Sequence, residues 1–186
     1  MTYEYFRCLD DIRFEGRWQL GEPISASGDV DPSRFTTGQV YDGPRDLTLD
    51  REDGVPLDFT LAAFDVPVVS ERIATILREL CPCDIQIIPI GIEGEEVGYA
   101  ILNVLSTVAC LNEEKSVFTK WTDADGRNDK LGQYRMVAKL VVDHNKTEGA
   151  EIFRIDGWDV PLIVSKRIKE GLEQQGCVGS DFECVS

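Results

Sequence analysis

Short apolar runs of strand length dominate the chain, and only two segments carry the spacing of an amphipathic helix. In the first, Ile73, Ile76, Leu77 and Leu80 recur at the i, i+3, i+4, i+7 spacing of one buried face. Ser70 precedes that face as a natural N-cap and Pro82 stops it, so the pattern predicts a helix over 70–80. In the second, Ile168 and Leu172 follow Ser165, Gly171 sits between them, and Gly176 is placed to end the helix in a left-handed turn. A glycine at 171 implies a weaker helix or a close backbone approach. Strands are expected over 3–9, 85–90, 99–105, 115–120, 134–142 and 151–155, with a polar loop over 123–130. Asp29-Val30-Asp31-Pro32, Asp42-Gly43-Pro44 and Asp53-Gly54 are turn signals, and the first 60 residues read as irregular apart from their opening strand.

The two helical segments are copies of one another. Val69-Ser70-Glu71-Arg72-Ile73 returns 95 residues later as Val164-Ser165-Lys166-Arg167-Ile168, and Leu77 returns in the same relation as Leu172. Asp65-Val66-Pro67 precedes the first copy and Asp159-Val160-Pro161 the second. Proline disfavours helical backbone at the residue before it, so Val66 and Val160 are expected to be extended. After the helices, Asp84-Ile85-Gln86-Ile87 and Asp181-Phe182-Glu183-Cys184 share the order acid, apolar, polar, apolar. The spacings drift, from five to six residues before the serine and from 14 to 16 after it. The fold class that follows is α+β, mostly β strands, with two main helices in a duplicated strand-helix-strand unit packed on a shared or paired sheet. The chain is read as a single domain over residues 1–186, with lobes of about 1–110 and 111–186 as its natural subdivision.

Composition narrows the function. A 42% hydrophobic share over 186 residues is that of a globular protein with a proper core. No apolar run reaches the roughly 18 residues of a membrane span, and residues 1–7 lack the pattern of a signal peptide, so a cytoplasmic location is expected. Thirty-four acidic against 19 basic side chains give a net charge of −15. Such a field repels nucleic acid and anionic membranes and favours a basic partner.

Catalytic patterns fail one by one. Cys81-Pro82-Cys83 is too tightly spaced for a zinc clip, and Cys8, Cys110, Cys177 and Cys184 are scattered; all six are read as reduced and mostly buried. His144, the only histidine, is the one available base for a Ser-His or Cys-His pair, but it lies in a predicted turn. The loop Asp123-Ala124-Asp125-Gly126-Arg127-Asn128-Asp129 resembles a calcium loop, yet its glycine comes fourth and Tyr134 stands where the closing glutamate belongs. Residues 91–98 are glycine-spaced but carry glutamates rather than the Lys-Ser/Thr of a phosphate loop, and read as a hairpin turn. No catalytic, cofactor or metal residue is assigned, and no cofactor is expected.

Several short segments, taken in order, resemble an immunity protein family of bacterial polymorphic toxin systems, the eleventh numbered one, typified by a Myxococcus protein. They are Tyr3-Glu4-Tyr5-Phe6, Val68-Val69-Ser70-Glu71-Arg72-Ile73, Ile87-Ile88-Pro89-Ile90 and Tyr99-Ala100-Ile101-Leu102-Asn103-Val104. Phe153-Arg154-Ile155, Val164-Ser165-Lys166-Arg167-Ile168 and Gly179-Ser180-Asp181-Phe182 complete the set. The resemblance implies a non-catalytic cytoplasmic antidote that binds a cognate toxin, and the acidic balance suggests a basic one. The alternatives are a regulatory or scaffolding module, or a metal-dependent enzyme built on Asp123, Asp125 and Asp143. Toxin-binding residues and oligomeric state are left unassigned.

Overall fold

A computed structural model describes residues 4–186. Tyr3, expected to open the first strand, lies outside the described residues. In chain order the strands are β1 (Tyr5–Asp10), β2 (Gln19–Leu20), β3 (Ile24–Ser25), β4 (Leu47–Leu49), β5 (Arg51–Glu52), β6 (Phe59–Ala62) and β7 (Val66–Ser70). Helix α1 (Glu71–Leu80) follows, then β8 (Ile85–Ile92), β9 (Tyr99–Val104), β10 (Thr107–Val108), β11 (Val117–Lys120) and β12 (Tyr134–Lys139). The chain ends with β13 (Ile152–Ile155), β14 (Trp158–Ser165), α2 (Lys166–Gln174) and β15 (Ser180–Cys184). The architecture is α+β and mostly sheet, with two helices.

Two sheets carry the fold, one ordered β3-β4-β8-β9-β7-β6 and the other β10-β13-β14-β1-β15. Four strands correspond one to one: β8-β9-β7-β6 in the first and β15-β1-β14-β13 in the second. Register proves the match, because Ser70 pairs with Tyr99 on β9 and Ser165 pairs with Tyr5 on β1. Leu102 then faces Ile87, and its counterpart Cys8 faces Phe182. The repeat therefore fills the chain: strand, cover segment, hairpin, helix, strand, then the same again. Each copy lends its first strand to the other copy's sheet, since β1 lies beside β14 and β9 beside β7.

This register corrects the sequence alignment after the helices. Ile87 corresponds to Phe182, so Asp84 matches Gly179 rather than Asp181. The backbone agrees: Leu105 N–H donates to Asp84 O and Asp11 N–H to Gly179 O, each at 2.8 Å. The Asp-Val-Pro segments are likewise out of step by one, with Leu162 rather than Pro161 at the place of Pro67.

The inner faces of both sheets and the two helices share one core. Val69, Ile73, Leu77 and Leu102 supply it from the first sheet and its helix, and Val164, Ile168, Leu172 and Cys8 from the second. Burying each such aliphatic side chain contributes about 1.5–3 kcal/mol before entropy is counted. Gly171 proves to be a close approach, because a Cβ there would stand 2.9 Å from Leu80 Cδ1 on the opposite helix. The outer face of the first sheet is covered by residues 11–57 through Trp18, Phe35, Tyr41 and Leu49. Residues 105–150 cover the second through Cys110, Leu111 and Val142.

The Ser-x-Arg motif builds the helix pair. Ser70 Oγ accepts from Ile73 N–H at 3.5 Å and Ser165 Oγ from Ile168 N–H at 3.3 Å, so both serines cap as expected. Each serine hydroxyl also donates to a carboxylate at the start of its own hairpin, Asp58 or Glu151. The same carboxylates take Arg72 and Arg167. Arg72 reaches on to Gln175 O at 2.5 Å, and Arg167 to Leu80 O at 3.0 Å. Each arginine thus satisfies carbonyls at the C-terminus of the opposite helix, where a cation is favoured and acceptors are unpaired. The helices must run antiparallel for both contacts to form. Gly176 ends α2 at φ 64, the left-handed cap its position predicted.

Two hairpin turns meet at Arg154, which is fully buried. Its guanidinium donates to Asp159 O at 3.0 Å and Val160 O at 2.7 Å in one turn, and to Asp65 O at 3.4 Å in the other. Burial pushes its pKa down to about 10. Gly157 gives the second turn its positive φ, of 76. The first turn uses Phe64 and Asp65 at φ 61 and 56, where a side chain costs about 1–2 kcal/mol per residue.

Candidate partner-binding surface

The residues examined for chemistry in the sequence are dispersed. Asp125 accepts from Thr122 N–H at 2.9 Å and from Arg135 at 2.5 Å, closing a capping box that holds its loop. Those contacts hold its carboxyl below the usual range, the Thr122 amide contributing most. Asp129 is paired with Arg127 at 2.8 Å. Asp143 accepts from Asn145 N–H at 3.1 Å as the cap of the turn that contains His144. Among the described residues no group of three or more His, Cys, Asp or Glu converges as a metal site. Cys81 is buried and donates to Leu77 O, while Cys83 is exposed. The cysteines are free, with Cys8, Cys81 and Cys110 buried; Cys83 and Cys184 are exposed, so burial is less general than the sequence implied.

A cleft of about 900 Å³ opens on the cover segment of the second sheet. Glu113, Lys120 and Tyr134 line it, and Glu113 takes both Lys120 Nζ at 2.6 Å and the Tyr134 hydroxyl at 2.7 Å. Lys120 contributes most to holding the Glu113 carboxyl down, whereas burial and then Glu113 push the Tyr134 hydroxyl up. The Tyr134 hydroxyl donates to a carboxylate that Lys120 already pairs.

Charge is distributed unevenly. Residues 11–104 carry 18 acidic and 7 basic side chains, whereas residues 105–150 carry 7 of each. The acidic excess is concentrated where β5 meets the turn between β8 and β9. There Arg51 is taken by Glu95, and Glu93 N–H reaches Leu49 O at 3.4 Å. Around that pair Asp50, Glu52, Asp53, Glu93 and Glu96 are exposed. None of these five forms an ion pair among the described residues. Residues 91–98 form the hairpin turn expected of them, with Glu93 and Glu96 exposed and Glu95 turned onto Arg51.

A protein family model, Immunity protein family (Imm11), matches residues 7–186, nearly the whole chain. The chain belongs to the Imm11 immunity family. A search of curated proteins finds no match. The segments that carried the family resemblance prove to be scaffold in this Imm11 chain. Asn103 is fully buried, and its amide donates to Gln39 O at 2.8 Å and Gln86 Oε1 at 3.0 Å. Gln86 in turn donates to Tyr41 O at 2.9 Å, fastening the cover segment to the first sheet. The Ser-x-Arg segments form the helix pair, and Arg154 the junction of the two turns.

Proposed function

We propose that this chain neutralises a cognate toxin by binding it, in the cytoplasm and without catalysis. Membership of an immunity family supports the role, and the unpaired carboxylates around Arg51 and Glu95 support a partner with a basic surface. Opposite charges across an interface accelerate encounter and disfavour wrong partners more than they add affinity. Nucleic acid and anionic membrane are poor partners for the same surface. No helix among the described residues is long and apolar enough to cross a membrane.

The test uses the toxin domain encoded next to this chain's gene, purified in an inactive form. Binding should form a stable complex whose association rate falls at least tenfold between 50 and 500 mM salt, since the screening length shrinks from about 14 to about 4 Å over that range. Association indifferent to salt would remove the electrostatic part of the proposal. Absence of a complex would remove the role.

A further inference from the structure

The tip of the β6–β7 hairpin breaks a local rule. Phe64 and Asp65 are consecutive non-glycine residues with left-handed backbone, and Phe64 is 66% exposed. The second copy meets the corresponding demand with Gly157. A strained turn that also displays a large apolar side chain gains nothing for the fold at that position. The tip is tied to the adjoining turn of β13 and β14 by Arg154, which reaches Asp65 O at 3.4 Å. Phe64 stands in a shallow cleft of about 380 Å³ with Pro32 and Val160, rimmed by the carboxylates of Asp31, Asp65 and Asp159. Lys130 is the single cation on that rim, and it lies over the Trp121 ring at 5.9 Å.

We propose that Phe64 is the aromatic anchor of the toxin interface, inserting into an apolar recess on a basic surface while Asp31, Asp65 and Asp159 meet the cations around it. Binding anchors are characteristically rigid aromatics ringed by polar residues, and here Arg154 ties the tip and the polar ring is acidic. The inference rests on the proposed antidote role and adds to it a docking residue at a second acidic surface, since the tip lies at the Val66 end of β7 and the β8–β9 turn at its Ser70 end.

The experiment replaces Phe64 with glycine and measures two quantities that should move in opposite directions. Glycine relieves the left-handed strain, so the melting temperature should rise by about 2–4 °C. Removing the ring should weaken binding to the purified, inactive toxin domain encoded beside this gene by at least about 30-fold. Ile12→Ser, which removes an apolar side chain that is 86% exposed elsewhere, should leave affinity within about twofold. Equal affinity of Phe64→Gly and the unaltered chain would overturn the proposal while leaving the antidote role intact. Equal losses in both variants would overturn it as well, as would a change in oligomeric state with no change in affinity, which would assign the tip to self-association. Failure of the unaltered chain to bind would overturn both the role and the anchor.

Discussion

Asp58 is the place where the repeat can be weighed by mutation. Its side chain, 17% exposed, accepts from Ser70 Oγ at 2.7 Å and Val178 N–H at 3.1 Å, and pairs with Arg72. Asp58→Ala leaves the Val178 N–H without its acceptor and Arg72 without its carboxylate, although Arg72 keeps the carbonyls of Gln175 and Gly176. Each lost hydrogen bond costs about 1 kcal/mol and a charged one about 1.5–3 kcal/mol. Arg72 is half exposed, so its contribution belongs at the low end of that range. The total is about 3 kcal/mol. Glu151 occupies the equivalent place but makes fewer contacts: the Ser165 hydroxyl and Arg167 at 3.3 Å. Glu151→Ala should therefore cost about 1–2 kcal/mol. In urea unfolding both variants should keep the parental m-value and lower the midpoint, Asp58→Ala by roughly twice as much. Its melting temperature should fall by about 6–12 °C. A cost below about 1 kcal/mol for Asp58→Ala, or a cost no greater than that of Glu151→Ala, would refute the claim that this carboxylate fastens the helix pair.

Other expectations follow from the same contacts. Ser165→Ala removes the cap of α2 and should cost about 1 kcal/mol, with faster amide exchange confined to the first turn of that helix; unchanged exchange there would contradict the cap. Arg154→Met should cost about 2–4 kcal/mol by orphaning three carbonyls, and amide exchange should accelerate in both hairpin turns, whereas acceleration in only one would break the link between them. Burial pushes the thiols of Cys81 and Cys110 up to about 12 and that of Cys177 to about 11. Titration of the native chain at pH 8 should therefore label Cys83 and Cys184 rapidly and leave Cys81 and Cys110 protonated and protected; rapid labelling of Cys110 would contradict its burial.

Helical periodicity and its punctuation were readable because they are local. Ser70, Ser165, Pro82 and Gly176 each act within one turn of their own position, and the structure places all four as the sequence implied. The wider repeat was not legible. Tyr5 and Tyr99 are equivalent, but the strands they open have almost nothing else in common, with Arg7 opposite Ile101 and Leu9 opposite Asn103 in the correspondence. The first sheet buries β9 on both faces, while β1 is partly open, so selection for burial differs strand by strand. Exchange of the first strand between copies leaves no local signal, since pairing partners are set by the whole fold. The strand predicted over 134–142 ends at Lys139 because β12 pairs only with β11. The exposed Phe64 could have been flagged, since Ala63-Phe64-Asp65 is a tight turn without glycine or asparagine. Its significance depends on the left-handed backbone, and that is a property of the folded hairpin.

The central claim is that this chain protects by binding, and co-expression tests it most directly. The toxin domain encoded beside the gene should stop growth when produced alone and permit growth when this chain is produced with it, with the two proteins recovered as one complex. Growth arrest undiminished by the chain would contradict the account.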